Sequence, residues 1–133
     1  MTPTTHIEVR HAYVGEVPQE LLVGFEGFAI DPEWQWVLVS EGKIVAQLLA
    51  ANMHGVLLIL RVSSLPTAPR GWALTLFRRV LRDCSALGLI GFTTFLADNR
   101  PAERRLMRIV SRMGGYLIPC SGVWAAGRLD TRY

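Results

Sequence analysis

A chain of 133 residues, half of them apolar and 19% charged, holds enough apolar material for one domain with a real core and too much for intrinsic disorder. Its longest apolar run, around Val56–Leu60, is too short to span a bilayer, and the opening MTPTTHIEVRH lacks the basic-then-apolar layout of a secretory signal, so a cytoplasmic setting without a membrane partner is expected. The net charge of +3 is built from arginine, with Lys43 the single lysine, and the two cysteines, Cys84 and Cys120, lack metal-type spacing and are expected to be buried, reduced thiols.

Thr5 to Val14 alternates as a first strand, with Ile7, Val9 and His11 on one face. His6 and His11 are read as polar members of that strand, two lone histidines making a poor metal site. After a turn at Gly15–Pro18, Gln19 to Ile30 places Leu21, Leu22, Phe25, Phe28 and Ala29 at helical spacing. Gly24 and Gly27 weaken that helix by about 1 kcal/mol each relative to alanine, so a short or irregular helix ending at Asp31-Pro32 is predicted. Trp34–Ser40 and Lys43–Met53 form a hairpin around Glu41-Gly42. His54-Gly55 then turns the chain into Val56–Val62, giving a three-strand meander. These strands are apolar on both faces, which predicts cover on both sides of the sheet.

Two prolines break the pattern between Ser63 and Pro69. From Gly71 the period is helical, with Ala73, Leu76, Phe77, Val80, Cys84 and Leu87 on one stripe and Gly88 as a stop. A strand, a short loop and a helix opening on Arg70-Gly71 would aim unpaired N–H groups and a positive dipole end at the loop, where an anion is the natural guest. Ile90–Leu96 is a further strand, parallel to Val56–Val62 through a right-handed crossover. Asp98-Asn99-Arg100-Pro101 starts a second helix, with Ala102, Leu106, Ile109, Val110 and Met113 inward and Gly114-Gly115 as its stop. Its arginines, Arg100, Arg104, Arg105, Arg108 and Arg112, read as a solvated face; without interleaved aromatics, nucleic acid is not the expected partner. Tyr116–Cys120 and Gly122–Leu129 close the chain as two strands.

This order of elements, from about Trp34 onward, resembles the GCN5-related N-acetyltransferase (GNAT) fold: an α/β (α+β) architecture with a mixed, mostly antiparallel sheet, a central parallel strand pair and helices on both faces. The likeness rests on two segments. Pro69-Arg70-Gly71-Trp72-Ala73-Leu74-Thr75 stands where the family has its Arg/Gln-x-x-Gly-x-Gly/Ala pyrophosphate loop. Asp98-Asn99 through Gly114-Gly115-Tyr116 stands where a post-strand Asn leads into a helix with a Leu-Gly-Phe-like stop.

The resemblance implies acetyl-CoA (or CoA) lying between two splayed parallel strands. Val62, with Arg61 and Ser63, would hold the pantetheine arm and polarise the thioester. Arg70, Gly71, Trp72, Ala73, Leu74 and Thr75 would take the pyrophosphate, and Asn99 would bond the pantetheine. There are departures. Ala73 replaces a usual glycine, Thr75 a usual glycine or alanine, and Val110 stands where many members carry a proton-returning tyrosine. The strand Val56–Val62, on which Arg61 shares a face with Leu57 and Ile59, has no glutamate to act as base.

Candidate catalytic groups are His54, because imidazoles titrate near neutral pH, Glu26 and Tyr116; a turn residue, an exposed carboxylate and a packed aromatic are their ordinary roles. Trp72 either packs against the adenine side or plugs the wedge. Members commonly place two helices between the first two strands, where this chain has only Gln19–Ile30; either the acceptor pocket is open or a partner completes it. Two functional readings follow. One is an N-acyltransferase acting on a small-molecule or protein amine. The other is a catalytically inactive GNAT-like structural or binding subunit, such as a bacteriophage particle (virion) component. Apolar sheet faces under thin cover predict a homo-oligomer or larger assembly.

Overall fold

The computed structural model describes residues 6–96, 101–112, 116–119 and 123–128. Its elements are β1 (Ile7–His11), β2 (Gln35–Ser40), β3 (Lys43–Met53), β4 (Val56–Ser64), α1 (Trp72–Ala86), β5 (Gly91–Leu96), α2 (Pro101–Arg112), β6 (Tyr116–Pro119) and β7 (Val123–Arg128). They form one sheet in the order β1-β2-β3-β4-β5-β7-β6. Every neighbouring pair is antiparallel except β4 and β5, which α1 joins as a crossover, because a parallel pair cannot be closed by a tight turn. Two-residue turns set the meander's register: Glu41-Gly42 and His54-Gly55 both adopt positive φ at both positions, matching the twist of the strands they join. Asn52 Oδ1 fixes the second turn by accepting from the Gly55 N–H at 2.9 Å.

Strand pairing assigns the two faces. Trp36 opposite Leu48, and Leu48 opposite Val62, point toward α1 and α2. There Leu76, Phe77 and Val80 of α1 and Ile109 and Val110 of α2 complete the main core. Phe77 meets Phe92 of β5 edge-on, with centroids 5.3 Å apart and planes at 88°, so the helix is keyed to the parallel pair it connects. At the far end of α1, Asp83 accepts from Trp36 Nε1 at 2.9 Å and from Arg79 Nε at 3.0 Å. Arg79 also donates to the Val9 carbonyl, which fastens edge strand β1 to the helix. Beside them Cys84 is a free, fully buried thiol; desolvation, then the charge of Asp83, pushes its pKa up to about 12. Disulfide reagents at pH 8 are therefore expected to leave Cys84 unmodified in the folded protein, with reaction appearing only on denaturation. Cys120 lies outside the described residues.

The opposite face carries a smaller core of Ala12, Leu21, Val37, Val39 and Ile44. Its cover is the segment between β1 and β2, and here the expected helix over Gln19–Ile30 does not form. Leu22, Phe25 and Phe28 each donate to the carbonyl three residues back, but left-handed Gly24 (φ 95°) and Gly27 (φ 81°) end each turn before a second can stack on it. Helical segments thus lie on both faces, but unequally. Two α-helices cover one, and the 3-10 turn Gln19–Leu21 serves the other, while Trp34 of the 3-10 turn Pro32–Trp34 packs against Trp36 of the main core.

A buried polar cluster pins this irregular cover. Gln47 is fully buried and donates to Ser63 Oγ (2.9 Å) and to the Leu21 carbonyl (3.4 Å), while Ser63 donates to the same carbonyl at 2.6 Å. Replacing Gln47 by Ala is expected to cost about 2 kcal/mol, since Gln35 Nε2 loses its acceptor in a site closed to water. Urea unfolding measures the cost, and faster proteolysis within residues 19–34 shows that the cover has come loose. Among the described residues no helix is long and apolar enough to cross a membrane.

Candidate functional site

The parallel pair is short. β4 matches β5 only from Val56 opposite Gly91 to Ile59 opposite Thr94, yet β4 continues to Ser64 while β5 turns its remaining residues to β7. The parting coincides with a bulge. Ala50 opposes Ile59 and Leu49 opposes Arg61, so Leu60 is an extra residue that bends β4 where it leaves β5. The bulge also corrects the expected side-chain phase. Arg61 lies on the face opposite Leu57 and Ile59, and Val62 returns to the main core, 6% exposed. What β4 offers toward the gap is therefore the backbone edge of Leu60–Ser64, which pairs with no strand among the described residues. Arg61 Nε is buried without a hydrogen-bond partner among the described residues.

Beyond β4 the chain enters α1 through Gly71, which adopts φ 82° and ψ 8° and gives the helix no side-chain cap. Trp72 N–H donates to the Pro69 carbonyl, and Thr75 gives both its N–H and its hydroxyl to the Gly71 carbonyl, at 3.1 Å each. The N–H groups of Ala73 and Leu74 have no acceptor among the described residues. Both residues line a cavity of about 580 Å³, together with Arg70 and Gly71 and, from α2, Arg108, Ile109 and Arg112.

Arg108 and Arg112 are four apart and so share a helix face. Among the described residues neither they nor Arg70 enter an ion pair, and the cavity's lining includes no carboxylate. Orphan amides, the positive end of a helix dipole and three guanidiniums make a site for a multiply charged anion such as a phosphate ester. A Cβ on Gly71 would meet nothing within 4 Å, so Gly71→Ala is expected to cost only the left-handed strain, about 1 kcal/mol by thermal unfolding.

The residues expected at the site therefore divide. Arg70, Gly71, Ala73 and Leu74 line the cavity. Trp72 is 3% exposed and turns inward as part of the main core, and the Thr75 hydroxyl is committed to its own helix. Asn99 lies outside the described residues. Tyr116 opens β6, opposite Ala126. Val110 is fully buried. Arg108 and Arg112 were read as a solvated face; only their i, i+4 spacing hinted at a common target.

A second cavity, of about 450 Å³, lies where β2 stops short of the end of β3. Phe25, Phe28, Ile30, Asp31 and Trp34 of the irregular cover wall it, residues 49–52 of β3 floor it, and the bulge residue Leu60 reaches it. Neither of the acid–base candidates from this half of the chain lines it. Glu26 is exposed and accepts from the Gly24 N–H at 2.9 Å; exposed His54 sits in the hairpin turn, about 20 Å of strand before Leu60 at ~3.3 Å per residue. No cluster of His, Cys, Asp or Glu among the described residues is suited to a metal ion.

No protein-family model and no curated protein matches the sequence. Solved structures do match in shape. Diaminobutyrate acetyltransferase from Paenibacillus lautus, solved with L-2,4-diaminobutyric acid and coenzyme A, superposes with a TM-score of 0.72 at 14% identity, covering 96% of this chain and 98% of that one. An acetyltransferase of the GNAT family from Staphylococcus aureus gives 0.71 at 10% identity, covering 94% and 100%. The fold is that of the GNAT acetyltransferases. N-acetylglutamate synthase from Neisseria gonorrhoeae, complexed with coenzyme A and N-acetyl-glutamate, contains the same GNAT fold (TM-score 0.71, 10% identity); the match covers 96% of this chain, which spans 36% of that protein's length.

Proposed function

We propose that this chain is an acetyl-CoA-dependent acyltransferase acting on an amine. The observation that carries the reading is the uncapped start of α1, its Ala73 and Leu74 amides opening beside Arg70, Arg108 and Arg112 just past the parting of β4 and β5. A cofactor with a pyrophosphate and a long uncharged arm suits an anion site next to a gap with a bare backbone edge. The amides of Ala73 and Leu74 and the three arginines hold the phosphates, and Asn99 is assigned to the pantetheine arm. The free edge of β4 around Val62 accepts the thioester carbonyl, where N–H donors offset charge building on oxygen as the amine attacks.

Bound acetyl-CoA supplies an acetyl group activated as a thioester. The amine nitrogen forms the C–N bond as the C–S bond breaks. The nitrogen's extra proton leaves to water, and the departing sulfur gains one from water; among the described residues Val110 cannot supply it and neither His54 nor Glu26 lines either cavity. The rate is accordingly expected to climb with pH toward the pKa of the amine used, without the falling limb of a titrating protein acid. The alternative of a catalytically silent subunit, including a bacteriophage particle component, gains no support from the structural likenesses, which are to enzymes.

Calorimetric titration with acetyl-CoA, beside thiol release in the presence of primary amines, tests the proposal. Micromolar binding with turnover is expected. Absence of heat at millimolar ligand would remove the acyltransferase reading, and binding without turnover for any amine would favour the silent subunit.

A further inference from the structure

We infer that the cavity beside Leu60 selects amines carried on an apolar body, aromatic or branched aliphatic, over amino acids and other hydrophilic amines. The inference rests on the acyltransferase reading for the identity of the reaction, but its evidence is separate. The cavity is walled by Phe25, Phe28 and Trp34, with Leu49 and Leu60 beneath them. Phe25 and Phe28 meet edge-on at 5.6 Å and present ring surface to the space between them and the strand. Phe28 is 66% exposed and Leu60 42% exposed, so apolar area stands open to water in a concave site where an apolar guest would cover it.

The charge on the lining points the same way. Among the described residues Asp31 is the one ionisable group in that lining, and only Oδ1 is committed there, accepting from the Glu33 N–H at 3.0 Å. A lone carboxylate suits an incoming ammonium group. With no cation among the described lining residues, the carboxylate of an amino-acid substrate would go unpaired there, a costly loss in a mostly apolar pocket. About 450 Å³ falls within the usual range for small-ligand sites and easily admits a single ring with a short aminoalkyl chain. Leu60 is also the bulge residue at the parting of β4 from β5, so a guest resting on it lies next to the free strand edge assigned to the thioester.

The test is a panel of amines with thiol release as readout, run alongside the acetyl-CoA titration. Phenethylamine and isoamylamine are expected to exceed ethanolamine, L-glutamate and 2,4-diaminobutyrate by about 100-fold in kcat/KM. Phe28→Ala and Leu60→Ala alter exposed side chains outside the cores and are expected to lower kcat/KM for phenethylamine about tenfold; Phe28→Ala, away from the strand edge assigned to the thioester, is expected to leave acetyl-CoA affinity unchanged. Asp31→Asn keeps a capping oxygen and is expected to lower that kcat/KM about threefold.

Turnover confined to hydrophilic amines, with acetyl-CoA bound normally, would overturn the selectivity and leave acyl transfer standing. If acetyl-CoA does not bind, direct titration with phenethylamine decides. Saturable binding abolished by Phe28→Ala upholds the pocket's chemistry without the reaction, and no binding sinks both.

Discussion

Replacing Arg70, Arg108 and Arg112 together by alanine is expected to weaken acetyl-CoA binding about 100-fold. Each guanidinium lines the same cavity and is solvent-exposed, so each contact to phosphate is assigned only about 1 kcal/mol, well below the value of a buried charge-assisted bond. Three such losses, taken as additive, sum to about two powers of ten in Kd. The effect has an electrostatic signature. Raising salt from low to near-molar concentration is expected to weaken the parent protein's binding and to leave the triple variant nearly unchanged, since the screening length then shrinks to about 3 Å. Acetyl-pantetheine, which lacks the nucleotide phosphates, is expected to bind both proteins alike. Equal acetyl-CoA affinities for parent and variant, measured by calorimetry at low salt, would place the phosphates elsewhere.

Phe77→Ala is expected to be the costliest single substitution for stability, at about 3–5 kcal/mol. Phe77 is 1% exposed, and its removal leaves a void between α1 and β5 while stripping Phe92 of its edge-on partner. For a domain with about 5–15 kcal/mol in hand, that loss is a large fraction of the total. Urea unfolding should show a lowered midpoint with an unchanged slope, because the same surface is exposed on unfolding. Arg82→Ala, one turn further along on the exposed side of α1, is the control and should stay within about 0.5 kcal/mol. A loss below about 1 kcal/mol for Phe77→Ala would mean that α1 is not keyed to the parallel pair as described.

Much of this fold is written in local chemistry. β3 runs over the predicted Lys43–Met53, because Glu41-Gly42 and His54-Gly55 can both take the left-handed turn conformations that bound it. α1 follows its apolar stripe except at Leu87, which lies just past the helix and is 64% exposed, and α2 buries Ile109 and Val110. The region between β1 and β2 was harder to read. Its apolar spacing is helical, yet two glycines that look like a modest propensity cost instead switch to positive φ and break the segment into single turns. Arg61 shows a different limit. Period-two counting assigns it to the face of Leu57 and Ile59, and only the pairing of β4 against β3 reveals the extra residue that reverses it.

The site was legible in halves. Arg70-Gly71 at a strand-to-helix junction announced an anion site from sequence. Arg108 and Arg112 did not, because nothing in a helix's own periodicity says what faces its polar stripe; the packing of α2 beside α1 supplies that. Trp72, ambiguous from its place in the loop, is settled by burial, since the first inward position of α1 points into the main core. For the apolar cavity at Leu60 the one sequence hint is the family resemblance, which puts an acceptor wall at Gln19–Ile30; its shape comes from a broken helix and a bulge.

The account's central claim is that the open amides at the start of α1 bind the phosphates of CoA. Amide resonances followed during a CoA titration of the isotopically labelled protein address it most directly. The largest shifts are predicted at Gly71, Ala73 and Leu74, with companion changes in the side-chain signals of Arg70, Arg108 and Arg112. Saturation with those amides unmoved, or with the major changes at the His54-Gly55 turn at the other end of β4, would contradict the account.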